Sequence, residues 1–336
     1  MGIRIISLNI GATIKVPGYV NENGETVSED DRATIRNLEG ISRFLQRKAA
    51  GSFYTVIGLQ EVENYILRSA GINQPLYFSD QMGAGWSNVF QRLVKPGESR
   101  KLKLYDGSRP GDGPAEYKNG QDTPGLGNAV ISNIPIIKTA DLRYNFNPNQ
   151  VQAIEGPIYQ YGFQQKGALG VKLALEGKYM WLINTHFILE LHAIERQVWQ
   201  VLGLAGSMDP MLPIVIMGDF NIWQNGLNGY DVTDESREQH RILYQKMCSM
   251  FEAAGFVQLG EDAGNSFKPW SMRSRIDYCF LLNPPQYASS VLTLNRFRIA
   301  RPRDENADPL ESFTDHCALV MDFDWNLRAL NGNPYV

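Results

Sequence analysis

The sequence has little of what marks a disulfide-stabilised, zinc-binding or membrane-spanning protein. It contains 3 cysteines and 4 histidines in 336 residues, with no CxxC, HExxH or other Cys/His grouping that forms a zinc site. It has no apolar run long enough to cross a bilayer. It also lacks GxSxG, Walker A and strand-linked GxGxxG motifs, which disfavours serine hydrolases, P-loop proteins and dinucleotide-binding proteins.

The few cysteines bear on the cellular compartment. Cys248, Cys279 and Cys317 are odd in number, and the last two lie in apolar runs, which predicts buried free thiols. No signal-peptide pattern precedes the first predicted strand, so we expect a reducing, cytoplasmic compartment. A secreted protein whose leader has been removed remains an alternative.

The charge is also low for a protein that coats nucleic acid. The formal net charge is −4, so a generally basic surface is excluded, although a local basic groove is not. Two basic clusters, one at residues 100–103 and one at Arg273 and Arg275, are candidates for such a groove. Each cluster taken alone is more simply a solvated surface.

Apolar runs dominate what is present, since 43% of the residues are hydrophobic. Strands are predicted at 3–10, 53–62, 127–138, 167–176, 178–187, 212–221, 275–282 and 316–325, and helices at 30–48, 193–206 and 237–255. Because strands predominate and helices occur in both halves, we predict an α/β (α+β) fold with two packed β-sheets and helices outside them.

Four connecting segments are long and rich in polar residues, glycine or proline. They lie at about 15–31, 95–125, 145–166 and 223–238. Loops of this length in compact domains are usually functional or disordered. None of them reads as a clean linker, so we expect a single domain over residues 1–336, with the loops at 95–125 and 223–238 shaping a substrate pocket.

Polar residues suited to chemistry stand where the apolar runs end. One polar residue at a strand end is ordinarily just solvated, but several beside buried strands are typical of a site held on a rigid scaffold. The residues in this pattern are Asn9, Glu61, His186, Asp219, Asn221, Asp277, Asp315 and His316.

These residue types fit hydrolysis of a phosphate ester. Oxygen ligands such as Glu61, with Asn9 nearby, suit Mg²⁺, which binds phosphate oxygens. His316 follows Asp315, and Asp277 offers a further carboxylate that can orient the imidazole as an acid or base near neutral pH. Together they would supply a metal to neutralise charge and a base to position water.

Seven motifs occur in a set order along the chain. They are SLNI, LQEV, GLGNAVISNIPI, NTHF, GDFN, SRIDYCF and TDHCALV, and the match runs from about residue 3 to residue 324. In this order they resemble the endonuclease/exonuclease/phosphatase superfamily, which includes pancreatic deoxyribonuclease, apurinic endonucleases, neutral sphingomyelinases and inositol polyphosphate 5-phosphatases. Any one motif occurs by chance, whereas the ordered set is specific.

The resemblance implies a four-layer α/β/β/α sandwich of two mainly antiparallel sheets, with one active site at the top of the sheets. It also implies dependence on Mg²⁺, for which we expect Mn²⁺ to substitute. By position, Glu61 resembles the metal ligand and Asn9 its neighbour. Asp315 resembles an additional acidic residue at the metal or at the histidine.

The resemblance likewise implies catalytic roles. Asp219 resembles the residue that orients or deprotonates the attacking water, and Asn221 resembles a phosphate contact. His316 resembles a base or phosphate-contacting histidine, with Asp277 as its orienting carboxylate. His186 occupies the position of a second phosphate-contacting or acid histidine, where apurinic endonucleases have a tyrosine. The histidine makes the chain more similar to the deoxyribonuclease and sphingomyelinase branches.

Two further residues are minor candidates for substrate contact. Asn128 lies in the glycine-rich entry to a predicted strand, where an asparagine that stabilises a turn is an equal alternative. Arg275 belongs to the second basic cluster.

Family resemblance does not choose the substrate. The chain lacks the arginine that follows the GDxN motif in inositol 5-phosphatases, and apurinic endonucleases are shorter and more basic. We expect a monomer that hydrolyses phosphodiesters, with nucleic acid or a nucleotide-like compound ahead of a phospholipid head group. A phosphomonoesterase and a catalytically inactive binding module are the remaining alternatives.

Overall fold

A computed structural model of the protein describes residues 1–11, 31–51, 54–66, 69–95, 124–145, 165–189, 191–224, 234–267, 274–284, 290–303 and 313–327. The elements in chain order are β1 (Gly2–Asn9), α1 (Asp31–Ala49), β2 (Tyr54–Asn64), α2 (Gln74–Met82), β3 (Ser87–Val94), β4 (Gly125–Ser132), β5 (Ile136–Arg143), β6 (Gly167–Leu175), β7 (Lys178–His186), α3 (Leu191–Gly206), β8 (Ile214–Asp219), α4 (Asp234–Ala253), β9 (Val257–Gln258), β10 (Asp277–Leu282), β11 (Ser290–Ala300) and β12 (Ala318–Leu327).

The strands form two six-stranded sheets. The first sheet has the order β11-β12-β1-β2-β4-β3 and the second has the order β5-β6-β7-β8-β10-β9. Within each sheet the two central strands, β1 with β2 and β7 with β8, are parallel, and the other pairs are antiparallel. Because α1 and α3 make the crossovers between these parallel strands, each sheet follows a βαβ connection at its centre.

The strands bury both faces, as β1 illustrates. Ile3 and Ile5 face the second sheet, while Ile6 and Leu8 face the helices. All four are almost fully buried. Since alternate residues of a strand point to opposite faces, both faces of β1 are covered. Strands buried on both sides read as continuous apolar runs, which is why the sequence predicted them well.

Three apolar layers hold four structural layers together. One lies between α1, α2 and the first sheet, one between the two sheets, and one between the second sheet and α3 with α4. The predicted α/β/β/α sandwich of two packed, mainly antiparallel sheets is therefore confirmed.

A belt of buried amides crosses the interface between the sheets. Asn184 on β7 donates to the backbone carbonyls of Leu59 and Ala129 in the other sheet, at 2.9 and 3.0 Å. Asn128 on β4 donates to the carbonyl of Gly167 at 3.0 Å, and Gln91 on β3 donates to the carbonyl of Ala168 at 2.9 Å. These bonds fix one sheet relative to the other directly beneath the strand ends that carry the polar residues.

Several elements differ from the prediction. The expected strand at 127–138 is two strands, β4 in the first sheet and β5 in the second, and the chain crosses between the sheets at Asn133–Pro135. The sequence analysis also missed α2, β3, β9 and β11. The predicted loop at 223–238 is shorter than expected, because α4 already begins at Asp234. The other long segments lie mainly outside the described residues, as do residues 100–103 and Arg273.

The cysteines agree with the prediction, since all three are free and Cys279 and Cys317 are buried. None of the helices described combines the length and the apolar character needed to cross a membrane.

Candidate active site

The strand register brings the predicted polar residues to one edge of the sandwich. His186, at the end of β7, is the Cα partner of Asp219, at the end of the parallel strand β8. Asp219 is in turn the Cα partner of Asp277, the first residue of the antiparallel strand β10. Asn9 ends β1 in the facing sheet. Three strand ends of one sheet and one of the other therefore meet.

Asp219 lies at the centre of this group. Its Oδ2 accepts from Asn9 Nδ2 at 2.9 Å, and it lies 3.4 Å from His186 Nε2 and 3.7 Å from His316 Nε2. Its Oδ1 accepts from the backbone N–H of Asn221 at 2.9 Å. Burial raises the pKa of Asp219 to about 7, because desolvation outweighs the attraction of His316. A carboxylate with such a pKa is a competent base near neutral pH.

His316 and Asp277 form a buried pair next to Asp219. His316 Nδ1 lies 3.0 Å from Asp277 Oδ2 and 3.3 Å from Asp277 Oδ1. Burial opposes the charge of the imidazole, but the carboxylates of Asp277, Asp219 and Asp315 outweigh it and raise the pKa of His316 to about 10. Nδ1 is therefore fixed by Asp277, and Nε2 carries a proton toward Asp219.

Glu61 is a partly exposed carboxylate of the site. It sits in β2 where the register with β4 shifts, and its φ of 54° is unusual for a non-glycine residue. Its side chain is 31% exposed. Burial opposes ionisation, but the nearby positive charges of Lys166 and His316 hold the pKa of Glu61 at about 2. The group is thus ionised at neutral pH.

His186 lies between Glu61, Asp219 and Lys166. Its Nε2 is 3.7 Å from Glu61 Oε1, and its Nδ1 is 3.3 Å from Lys166 Nζ. Burial and then the charge of Lys166 lower the pKa of His186 well below its ordinary value, against the opposing effect of Glu61. This imidazole is therefore neutral, unlike that of His316.

Two asparagines beside Asp219 are held in fixed orientations by hydrogen bonds. Asn9 uses its Oδ1 to accept from the backbone N–H of Gly11 at 2.9 Å, so its amide is held from both sides. Asn221 has a φ of 51°, a conformation that asparagine tolerates better than most residues, and its Nδ2 donates to the carbonyl of Phe187 at 2.7 Å. Both amides are oriented before any ligand arrives.

A metal could be held by two different subsets of these residues. Asp219, Asp277 and His316 each present a ligand atom, all within 4.8 Å of one another. However, a protonated imidazole cannot ligate a metal, and this cluster is buried. The side chains of Glu61 and Asp315, which are 31% and 38% exposed, offer accessible oxygen donors of the kind that Mg²⁺ prefers.

Eight of the predicted site residues form one network of contacts, which ends at Asp315, whose Oδ1 lies 3.9 Å from His316 Nε2. Their chemical roles stay predictions. The other two candidates lie elsewhere. Asn128 is fully buried in the belt between the sheets. Arg275 is 1% exposed, and its guanidinium donates to the backbone carbonyls of Gly260 and Glu261. These contacts favour structural roles for both residues.

The sequence analysis missed Lys166, which contacts Glu61 at 3.3 Å and directly precedes β6. A single lysine before an apolar strand carries no pattern that separates it from a solvated one. Only its position beside an apolar run could have identified Lys166, which is the criterion that identified the other residues.

Comparison with known proteins supports a common fold. A protein from Beutenbergia cavernae DSM 12333, described as an endonuclease/exonuclease/phosphatase, is 18% identical with a TM-score of 0.57, over 97% of this chain and 72% of that one. One from Bacteroides vulgatus with the same description is 15% identical with a TM-score of 0.57, over 96% and 99%. D. rerio TDP2, solved with a single-strand DNA product, is 12% identical with a TM-score of 0.53, over 96% and 99%.

No curated protein matched the sequence. The sequence model of one family matches residues 19–316, which include all but one of the eight networked site residues, Asn9 being the exception. The chain belongs to the Endonuclease/Exonuclease/phosphatase family.

Proposed function

We propose that the protein is a Mg²⁺-dependent hydrolase that cleaves phosphodiester bonds, with nucleic acid or a nucleotide-like compound as its substrate. Members of its family are phosphoesterases, which supports the reaction class. The single observation that carries the proposal is the environment of Asp219 Oδ2, which an amide N–H and two imidazole nitrogens approach within 3.7 Å.

Asp219 orients the attacking water and accepts its proton. Its carboxylate is held by Asn9 Nδ2 and by the backbone N–H of Asn221, so it does not need to reorganise when water binds. The raised pKa, about 7, suits proton transfer from water near neutral pH.

His316 and His186 bring two different kinds of hydrogen-bond donor to the phosphate. His316 is an imidazolium fixed by Asp277, so it stabilises the charge that develops on the phosphoryl oxygens. His186 is neutral, so it offers a directed N–H without adding a full charge. The oriented amide of Asn221 adds a further contact to the phosphate.

Glu61 and Asp315 would hold the metal, with Asn9 beside them. Their accessible carboxylate oxygens fit a hard divalent cation, and Mn²⁺ is expected to substitute for Mg²⁺. When bound, the metal neutralises phosphate charge and helps to orient the substrate.

Two observations bear on the nature of the substrate. TDP2 from D. rerio, which has the same fold, was solved with a single-strand DNA product. A phospholipid-cleaving enzyme needs exposed apolar side chains to contact a membrane, but Trp86 packs against the apolar layer of the first sheet. That packing makes a sphingomyelinase-like activity on phospholipid the second candidate, ahead of a phosphomonoesterase or a catalytically inactive binding module.

A substrate panel tests the proposal. The protein is incubated with Mg²⁺, with Mn²⁺ or with EDTA, on plasmid DNA, RNA, bis-p-nitrophenyl phosphate, sphingomyelin and inositol phosphates. We expect hydrolysis of the phosphodiesters that EDTA abolishes and that Asp219→Asn loses. Full activity in EDTA would contradict the metal requirement. Hydrolysis of sphingomyelin alone would favour the second candidate, and binding without turnover would indicate an inactive module.

A further inference from the structure

Lys166 joins two residues of the site that come from different sheets. Its Nζ lies 3.3 Å from Glu61 Oε1 on β2 and 3.3 Å from His186 Nδ1 on β7. Its side chain is only 11% exposed. We propose that Lys166 is a positioning residue that holds His186 in the tautomer whose proton is on Nε2.

The Nδ1 side of the ring requires this tautomer. A lysine ammonium has three donor hydrogens and no acceptor. A contact of 3.3 Å between Nζ and Nδ1 is therefore a hydrogen bond only if Nδ1 presents its lone pair. An N–H on Nδ1 would instead place two donors against each other in a site that is 2% exposed at His186.

The Nε2 side of the ring favours the same tautomer without fixing it. Nε2 lies 3.4 Å from Asp219 Oδ2 and 3.7 Å from Glu61 Oε1. An ionised carboxylate only accepts hydrogen bonds, so a lone pair on Nε2 would face an oxygen of like polarity at Glu61. Because a protonated Asp219 can instead donate to Nε2, the contact between Nδ1 and Lys166 decides the tautomer.

The backbone keeps Lys166 in place. The next residue, Gly167, is the Cα partner of His186 in the β6–β7 ladder. A Cβ at Gly167 would approach the carbonyl oxygen of Leu142 to 2.2 Å, so only glycine fits there. Gln165 donates through Nε2 to the carbonyls of Tyr144 and Lys166, both at 2.8 Å. The backbone of Lys166 is therefore fixed one residue away from the strand position opposite the histidine.

This inference extends the proposed function, because an Nε2 proton is what lets His186 donate to a phosphate oxygen. With the other tautomer, a lone pair would face an anion. The tautomer itself does not depend on the protein being a hydrolase, so it can be tested without substrate or metal.

The experiment is a long-range ¹H–¹⁵N correlation spectrum of the metal-free protein at neutral pH. The sequence has 4 histidines, and the spectrum of His186→Gln identifies the signals of His186. We expect wild-type His186 to show the pattern of a neutral ring protonated on Nε2. In Lys166→Met we expect a mixture of tautomers, and in Lys166→Gln an intermediate result, because an amide can either donate or accept.

Lys178→Met is the matched control. Lys178 begins β7 at the end away from His186, its side chain is 9% exposed, and its Nζ lies 3.6 Å from Glu176 Oε2. This variant removes a shielded, paired lysine from the same pair of strands and should leave the His186 signals unchanged. The proposal is overturned if wild-type His186 is protonated on Nδ1. It is equally overturned if both Lys166 variants keep the wild-type pattern, or if Lys178→Met disturbs it as much as they do.

Discussion

The two halves of the molecule have the same topology but contribute different chemistry. The first half comprises β1–β4 with α1 and α2, and the second half comprises β7–β10 with α3 and α4. In each half a helix connects two neighbouring parallel strands. Each half then adds a helix and two antiparallel strands on the same side of that pair. In β1 and β2, Asn9 is the Cα partner of Gln60, and in β7 and β8, His186 is the Cα partner of Asp219.

The two halves differ in how far their carboxylates are removed from water. Gln60 is fully buried and donates to Asn184 Oδ1 of the second sheet, so it belongs to the belt between the sheets. The first half instead directs its reactive group outward, because the register shift in β2 turns Glu61 toward solvent. The second half keeps Asp219 and Asp277 1% exposed. One half therefore supplies an accessible charge and the other a desolvated one.

The shared topology gives the strand ends a common position, whereas the residue types and the register shift in β2 determine how exposed each carboxylate is. An accessible ionised carboxylate suits a metal, and a desolvated carboxylate with a raised pKa suits proton transfer. The predictions below either separate these two roles or remove the distinction.

The largest effect is expected at the desolvated carboxylate of the second half and at the histidine beside it. Asp219→Asn and His316→Ala should each lower kcat by roughly 10²–10⁴-fold with little change in KM, because each removes proton transfer or charge stabilisation from the transition state. Single-turnover rates measure the loss. If both residues act on one step, the double variant is far less impaired than the product of the two losses. Wild-type turnover in either single variant removes that residue from the mechanism.

Metal binding tests the accessible half. Glu61→Gln should lower activity by about 10²-fold and abolish measurable Mn²⁺ binding in calorimetry, since it neutralises the accessible carboxylate. Asp219→Asn should lose turnover while retaining metal binding. The control is Glu176→Gln, which changes an exposed glutamate paired with Lys178. Equal loss of Mn²⁺ binding in the Glu61 and Asp219 variants would erase the distinction between the halves.

A smaller effect is expected where the halves join. Asn128→Ala should lower the free energy of unfolding by about 1–3 kcal/mol, because it removes the buried 3.0 Å hydrogen bond to the carbonyl of Gly167. Relative rates across the substrate panel should stay the same. Asn88→Ala, which removes a half-buried bond to Ser79 Oγ at 2.9 Å, should cost less. A change in substrate preference without loss of stability would restore Asn128 as a substrate contact.

An effect that is absent at neutral pH concerns a histidine of α4 that has no counterpart in α2. The ring of His240 packs against Trp223, with centroids 3.8 Å apart, and burial lowers its pKa from 6.5 to about 4. Between pH 6.5 and about 4, His240 is therefore protonated in the unfolded chain but not in the folded chain. Stability should be unaffected above pH 6.5 and should fall on acidification by at most about 1.4 kcal/mol per pH unit.

Urea unfolding at several pH values measures this dependence, with His240→Phe for comparison. The phenylalanine keeps a ring beside Trp223 but cannot be protonated. The variant should unfold with a shallower dependence on pH between 6.5 and 4. Identical slopes for the two proteins would contradict the lowered pKa.

The sequence predicted the centre of the fold better than its edges. Strands such as β1 and β8 are buried on both faces, so their apolar runs were unmistakable. The missed strands β3, β9 and β11 lie at or beside sheet edges, where exposed polar residues dilute the pattern. The missed helix α2 has nine residues and begins with Gln74–Pro75, so it gave too short a periodic signal.

The strand at 127–138 was wrong for a different reason. Both of its parts are strands, and no local preference says that the chain changes sheets at Pro135. Prediction of the site had a similar limit. Residue type identified the eight networked residues, but only three-dimensional contacts separate them from Asn128 and Arg275 and add Lys166. Tertiary contacts, which no local pattern contains, account for these errors.

The pairing of β12 with β1 has a consequence for biosynthesis. Arg4 and Asp322, 318 positions apart, form an ion pair across this ladder, and β12 separates β1 from β11 in the first sheet. While the ribosome has delivered only the earlier strands, β1 has an open interior edge, which favours aggregation. We expect nascent chains that end before β12 to stay protease-sensitive and to bind chaperones. A protease-resistant nascent chain ending at residue 300 would contradict this expectation. Because His316 lies two residues before β12, closing the first sheet also brings in the last histidine of the candidate site, so the chain completes this site in the same step that protects it from aggregation.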